Sequence, residues 1–285
     1  MQTCANSAEH HEAPASACRR RDPRAQSRAV ASEHQRPDHL AERISTTTAE
    51  ILMAAFAFFA GLIVIMVVPG VQAAIYWLEE AVFGRPGLSP DKVQQIQGMV
   101  LTPLATLCAA GCYGWLGRNV DRLASQPPPP RPPAAGLLAT LGWVVVHLLL
   151  AVLGSFALAL LMQALGAPVV EQTLVTEITA SADLRRPELA MLCFSALALA
   201  PLAEELFFRR QLFGRIRRGG GPFAAYLASA LIFAAFHNNL QGLVVYLWLG
   251  VVFASAYART GRISAAIAVH FGNNAFTLVA LLTAS

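Results

Sequence analysis

The stretch ILMAAFAFFAGLIVIMVVPGVQAAIYWL, residues Ile51 to Leu78, contains no charged side chain. A helix needs about 20 apolar residues to cross the hydrocarbon of a bilayer, so this run is long enough to span one. Further uncharged stretches cover Gly98 to Gly117, Ala134 to Val170, Leu189 to Ala203, Gly219 to Ala258 and Ile263 to Ser285. Only 13% of the 285 residues are charged and 55% are apolar. Soluble domains carry roughly 25% charge, and no soluble core buries this many apolar runs. The expectation is an all-α, polytopic integral membrane helical bundle of about seven transmembrane segments. The long Gly219 to Ala258 run must divide near the polar Asn238, Asn239 and Gln241, and Leu189 to Ala203 must borrow length from the residues that follow.

Outside these runs the chain divides by composition. Residues 1–49 are rich in Ala, Arg, His, Glu and Ser, lack an apolar signal core and read as a disordered polar tail. Residues 50–125 hold the front transmembrane helices. QPPPPRPP at 126–133 is a proline-rich linker in extended polyproline form, which places it outside the hydrocarbon, and 134–285 is the core expected to carry the chemistry. Arg118, Arg122 and Arg131 flank one loop, Arg209 to Arg218 supply five arginines to a second, and Arg259 and Arg262 flank a third. All three loops fall on one side if the segments alternate, and the positive-inside rule makes that side cytoplasmic, with the N-terminus there too, in a multi-pass protein of the cell membrane. The basic balance therefore reports topology in a lipid bilayer and not binding of nucleic acid. Cys4 and Cys18 lie in the tail, while Cys108 and Cys112 share a helix face and read as small packing residues.

Against this apolar background Glu204 and Glu205, in APLAEELFF, are anomalous. A charged residue deep in a spanning helix costs about 2.5 to 3.5 kcal/mol on insertion scales, so each needs a partner or a function. Glu205 and Arg209 are four apart, in the favourable order for an ion pair on one helix face, and give structural support. Glu204 points elsewhere. His237 ends LIFAAFH, and His270 lies in AAIAVHFGNNAF with Asn274 four residues later on the same face. Glu204 stands 16 residues before Gly220 and His237 stands 17 after it, so a helical hairpin turning at Gly219 to Gly221 brings the two level. His147, in WVVVHLLL, reads as a packing residue.

A carboxylate, two imidazoles and a carboxamide in a wet cavity can hydrolyse an amide. Glu204 takes a proton from a water held by His237, the hydroxide attacks a carbonyl, and His270 and Asn274 donate to the oxyanion. The same Glu204, His237 and His270 also form a two-histidine, one-carboxylate set that could hold a divalent metal such as zinc. The zinc-peptidase signature HExxH is absent, as are GxSxG and phosphate-binding loops. Intramembrane Glu and His also build proton relays, so a transporter or channel is an alternative from a different class, as is a non-catalytic scaffold.

Glu204, Glu205 and Arg209 match EExxxR, Phe233 and His237 match FxxxH, and His270 and Asn274 match HxxxN. In this the chain resembles the CPBP family of intramembrane proteases, which are similar to the type II CAAX prenyl endopeptidase and to bacteriocin-processing and immunity proteins. The resemblance covers roughly Ala134 to Ala280. It implies an all-helical membrane core, peptide-bond hydrolysis by Glu204, His237, His270 and Asn274, and a peptide or protein substrate, prenylated or membrane-bound. Members are by convention called metalloproteases, which leaves the metal open, and some act in immunity.

Overall fold

The computed structural model describes residues 23–68, 73, 90–124, 134–169 and 186–284. Within them the chain is helical: α1 Pro23–Val67, α2 Pro90–Leu123, α3 Leu137–Ala164, α4 over 186–219, α5 Pro222–Phe236, α6 Leu243–Thr260 and α7 Ile263–Ala284. Among the described residues six spans are long and apolar enough to cross a membrane: His39–Val67, Gly98–Leu123, Leu137–Ala164, Leu189–Gly219, Leu243–Thr260 and Ile263–Thr283. α5 is apolar but shorter. The protein is thus an all-α, multi-pass membrane bundle. The proline-rich linker, residues 1–22 of the tail, and most of the expected loop charges, such as Glu79 and Glu171, lie outside the described residues.

The described residues from Glu42 onward form one compact unit and those before it another. The described part of the latter, from Pro23, is helical. Its Ala, Arg, Gln, Glu and Leu are strong helix formers.

The larger unit is apolar outside and partly polar inside, the arrangement a hydrocarbon solvent selects. Leu52, Phe56, Phe59, Leu138, Leu149 and Phe156 are exposed, whereas Glu50, Glu205, Arg209, Arg215, His147 and His270 are buried. Lipid is as apolar as leucine, so helices are held together by close packing and by hydrogen bonds. Glycines permit that approach: a Cβ on Gly61 of α1 would meet the backbone N of Ala109 in α2 at 2.6 Å, and one on Gly250 of α6 would meet Cα of Ala230 in α5 at 2.9 Å. α6 packs on α5, α3 and α7, while α2 packs on α4. Phe207, Phe208, Phe213, Phe233 and Phe253 fill the centre, with Phe208 and Phe233 edge to face at 5.4 Å.

Two breaks in this pattern place the polar residues. α4 is not a uniform α-helix: Ser195–Leu199 and Glu205–Phe213 are π-helical and bracket the α-helical Ala200–Glu204. Such widened turns are frequent at functional sites because they re-aim side chains. The second break is the loop between α5 and α6. Gly221, at φ 91°, and Pro222 start α5, and α5 ends at Phe236 where the polar run begins. Asn238 takes the left-handed conformation at φ 47°, which asparagine tolerates better than most residues, and Asn239 Oδ1 accepts the backbone N–H of Gly242 at 2.9 Å. The expected division of the Gly219 to Ala258 run falls here, and the hairpin of α4 and α5 turns at Gly220 and Gly221.

Candidate functional site

Glu204 closes the five-residue α-helical insert of α4 and borders a cavity of about 1100 Å³. Its Oε2 is buried without a hydrogen-bond partner among the described residues. An unpaired carboxylate oxygen in a membrane interior is costly unless something else, a water or a substrate, meets it. His237, His270 and Asn274 line the same cavity, as do Asn238 and Asn239 of the α5–α6 loop. The structure thus brings together the four residues that the sequence nominates, from α4, the end of α5, and α7.

Each imidazole is oriented by its Nδ1. His237 Nδ1 lies 2.8 Å from the carbonyl oxygen of Phe233. A carbonyl only accepts, so Nδ1 carries the proton and Nε2 of the neutral ring keeps its lone pair. Tyr246 stacks on the ring at 4.1 Å between centroids, and Phe233 meets it edge-on at 4.5 Å. His270 Nδ1 lies 3.0 Å from Oε1 of Glu205, and its ring stacks on Phe253 at 4.4 Å.

Glu205 and Arg209 are both fully buried and pair through Oε2 and Nε at 3.2 Å. Arg209 Nη2 donates to the Gly250 carbonyl at 3.3 Å, and its guanidinium sits 4.2 Å from the Phe233 ring centroid. The pair therefore does more than brace α4, the role its spacing suggests. Glu205 is shared between the arginine on its own helix and the histidine on α7. Sequence reasoning had no signal for that link, because Glu205 and His270 are 65 positions apart. It also missed the aromatic seats Tyr246 and Phe253, which have no polar signature.

Asn274 Nδ2 donates to the Ala196 carbonyl at 2.9 Å, inside the first π-helical stretch of α4. One of its two N–H groups thus ties α7 to α4, and a second remains. His147 is buried, with Nδ1 2.7 Å from the Trp143 carbonyl and Nε2 3.1 Å from Ser255 Oγ, a satisfied packing histidine. Cys108, Cys112 and Cys193 are free thiols.

The metal set does not assemble here. Among the described residues no three His, Cys, Asp or Glu side chains are placed to hold an ion. The metalloprotease reading gains no support from this geometry.

Comparison with known proteins singles out this same part of the chain. Residues 186–276 match the family described as type II CAAX prenyl endopeptidase Rce1-like. YdiL of Bacillus subtilis (strain 168), assigned as a membrane peptidase, is 37% identical over 81 residues, 28% of this chain and 33% of its own length. The membrane-embedded CAAX protease MroQ of Staphylococcus aureus (strain USA300) is 34% identical over 92 residues, 30% of this chain and 37% of its own. The UPF0177 protein YbdI of Lactococcus lactis subsp. lactis (strain IL1403) is 33% identical over 84 residues, 29% of this chain and 45% of its own. The alignments span between a third and a half of these curated relatives. No solved structure gives a significant match. The matched segment holds α4 to the middle of α7 and with them every residue of the three motifs, so the likeness to the Rce1-like CAAX prenyl endopeptidases rests on the part of the chain that carries the site.

Proposed function

We propose that this chain is an intramembrane endopeptidase that hydrolyses a peptide bond with a water activated by Glu204 and His237. The observation that carries the reading is the unpartnered Oε2 of Glu204, buried on a cavity that His237, His270 and Asn274 also line. Glu204 removes a proton from a water that donates its other hydrogen to His237 Nε2. The hydroxide oxygen bonds to the substrate carbonyl carbon and the C=O pair moves onto oxygen. The remaining N–H of Asn274 and Nε2–H of His270 meet that oxyanion, which requires His270 to carry both ring protons. Collapse breaks the C–N bond, and the proton held by Glu204 passes to the leaving amine.

The substrate is a peptide or protein reached within the bilayer. The cavity is lined along much of its length by apolar side chains such as Val152, Phe156, Phe276 and Leu281, which supports a substrate that is membrane-bound or prenylated. The arginine-rich ends of α4 and α6 support a cell-membrane topology with the N-terminus in the cytoplasm and the site nearer that side.

The test is turnover of a quenched-peptide library, prenylated members included, by the detergent-purified chain. Cleavage by wild type that is lost in Glu204→Gln and His237→Ala, with both variants folded, supports the reading. Cleavage that Glu204→Gln retains overturns it. A chelator arm, followed by zinc add-back, reports separately on metal dependence.

A further inference from the structure

α7 turns a third polar residue into the cavity. Asn273 is only 7% exposed and lines the cavity beside His270 and Asn274, yet its carboxamide makes no hydrogen bond among the described residues. It is not part of the HxxxN spacing, and the mechanism above does not use it. Thr277, one turn further along α7, lines the same cavity. From the α3 wall comes Ser155, whose Oγ is buried and likewise unpartnered.

Building on the peptidase reading, we infer that Asn273, continued by Thr277 and Ser155, is a seat for the backbone of an extended peptide. A carboxamide presents a donor and an acceptor side by side, the complement of a peptide unit. Four residues along α7 advance about 6 Å, and in an extended chain the groups facing one way recur every two residues, about 6.6 Å. Asn273 and Thr277 are therefore spaced to meet successive like-facing peptide groups. A hydrocarbon ligand would leave all three polar groups unpaired in a desolvated cavity, whereas peptide backbone, whose own N–H and C=O also need partners inside a membrane, satisfies both sides at once.

The experiment measures binding, so it does not depend on turnover. Full-length Glu204→Gln protein in detergent is titrated with a pool of dye-labelled decapeptides of Ala, Leu and Val, and with the same pool carrying one backbone ester in place of an amide. The comparison is with Glu204→Gln combined with Asn273→Leu, near in size to the parent. The added change should weaken binding about five- to tenfold, the worth of one or two hydrogen bonds. It should leave the Tm unchanged, because the carboxamide faces the cavity and has no hydrogen bond within the described protein to lose. An ester at one position should weaken binding to Glu204→Gln by a similar factor and have no further effect in the double variant. The seat is overturned if the pool does not bind, if Asn273→Leu binds equally well, if ester and side-chain effects are independent at every position, or if the Tm falls as for a structural residue. Coupled binding together with Glu204-independent turnover would remove the peptidase reading and leave the peptide seat standing.

Discussion

Nδ1 of His270, on α7, lies 3.0 Å from Oε1 of Glu205, on α4, and the other oxygen of that carboxylate faces Arg209 Nε at 3.2 Å. One fully buried carboxylate thus holds a cation from its own helix and a ring from another. Removing it leaves Arg209 buried without a counter-charge. Loss of one partner of a buried ion pair costs about 3 to 5 kcal/mol. Glu205→Ala is expected to unfold well below wild type in a thermal melt. Glu205→Gln, which keeps an acceptor for His270, should melt between the two, and a Glu205→Gln melt equal to that of Glu205→Ala would refute the His270 link.

His237 and His147 offer a matched pair. Both have Nδ1 on a carbonyl four residues back, but His147 Nε2 is used by Ser255 while His237 borders the cavity. His237→Ala should lower kcat by about 10²- to 10⁴-fold, the usual contribution of a positioned acid–base group, with little change in Tm. His147→Ala should lower Tm and leave kcat within a few-fold of wild type. Activity assays and melts on the two variants separate these outcomes.

Arg215 joins α4 to both front helices. Its Nε reaches Glu50 Oε2 at 2.8 Å, its Nη1 and Nη2 make a bidentate pair with Asp121 at 3.1 and 3.0 Å, and Tyr113 donates to Glu50 Oε2 at 2.9 Å. A lysine has one ammonium and cannot reproduce the fork. Arg215→Lys is expected to recover less than half of the Tm lost in Arg215→Ala, and Tyr113→Phe to cost about 1 to 3 kcal/mol by leaving Glu50 short of a donor. Full rescue by lysine would show that charge alone matters here.

Gly250 sets the distance between α5 and α6 and also supplies the carbonyl that Arg209 meets. Gly250→Ala forces a methyl against Ala230 backbone, and overpacking of this kind costs about 1 to 3 kcal/mol. Because His237 ends α5, the same displacement should reduce turnover, and the check is a parallel loss of Tm and kcat. Gly142→Ala, which meets nothing within 4 Å, serves as the silent control.

Much of this was legible in the chain itself. Runs such as 51–67 and 263–284 can satisfy their backbone in lipid only as helices, so composition and length alone decide an all-α membrane bundle. The cost of charge at depth marks Glu204 and Glu205, and counting outward from Gly220 puts Glu204 and His237 level, because the helical rise is constant. What the chain could not express is anything that depends on rotation and contact between distant helices. The π-helical stretches around Glu204, the capture of His270 by Glu205, the Asn274 hydrogen bond to Ala196 and the free carboxamide of Asn273 arise only when α4 and α7 are packed against each other. The periodicity of one helix says which residues share its face; which partner that face meets is settled by close packing of several helices at once.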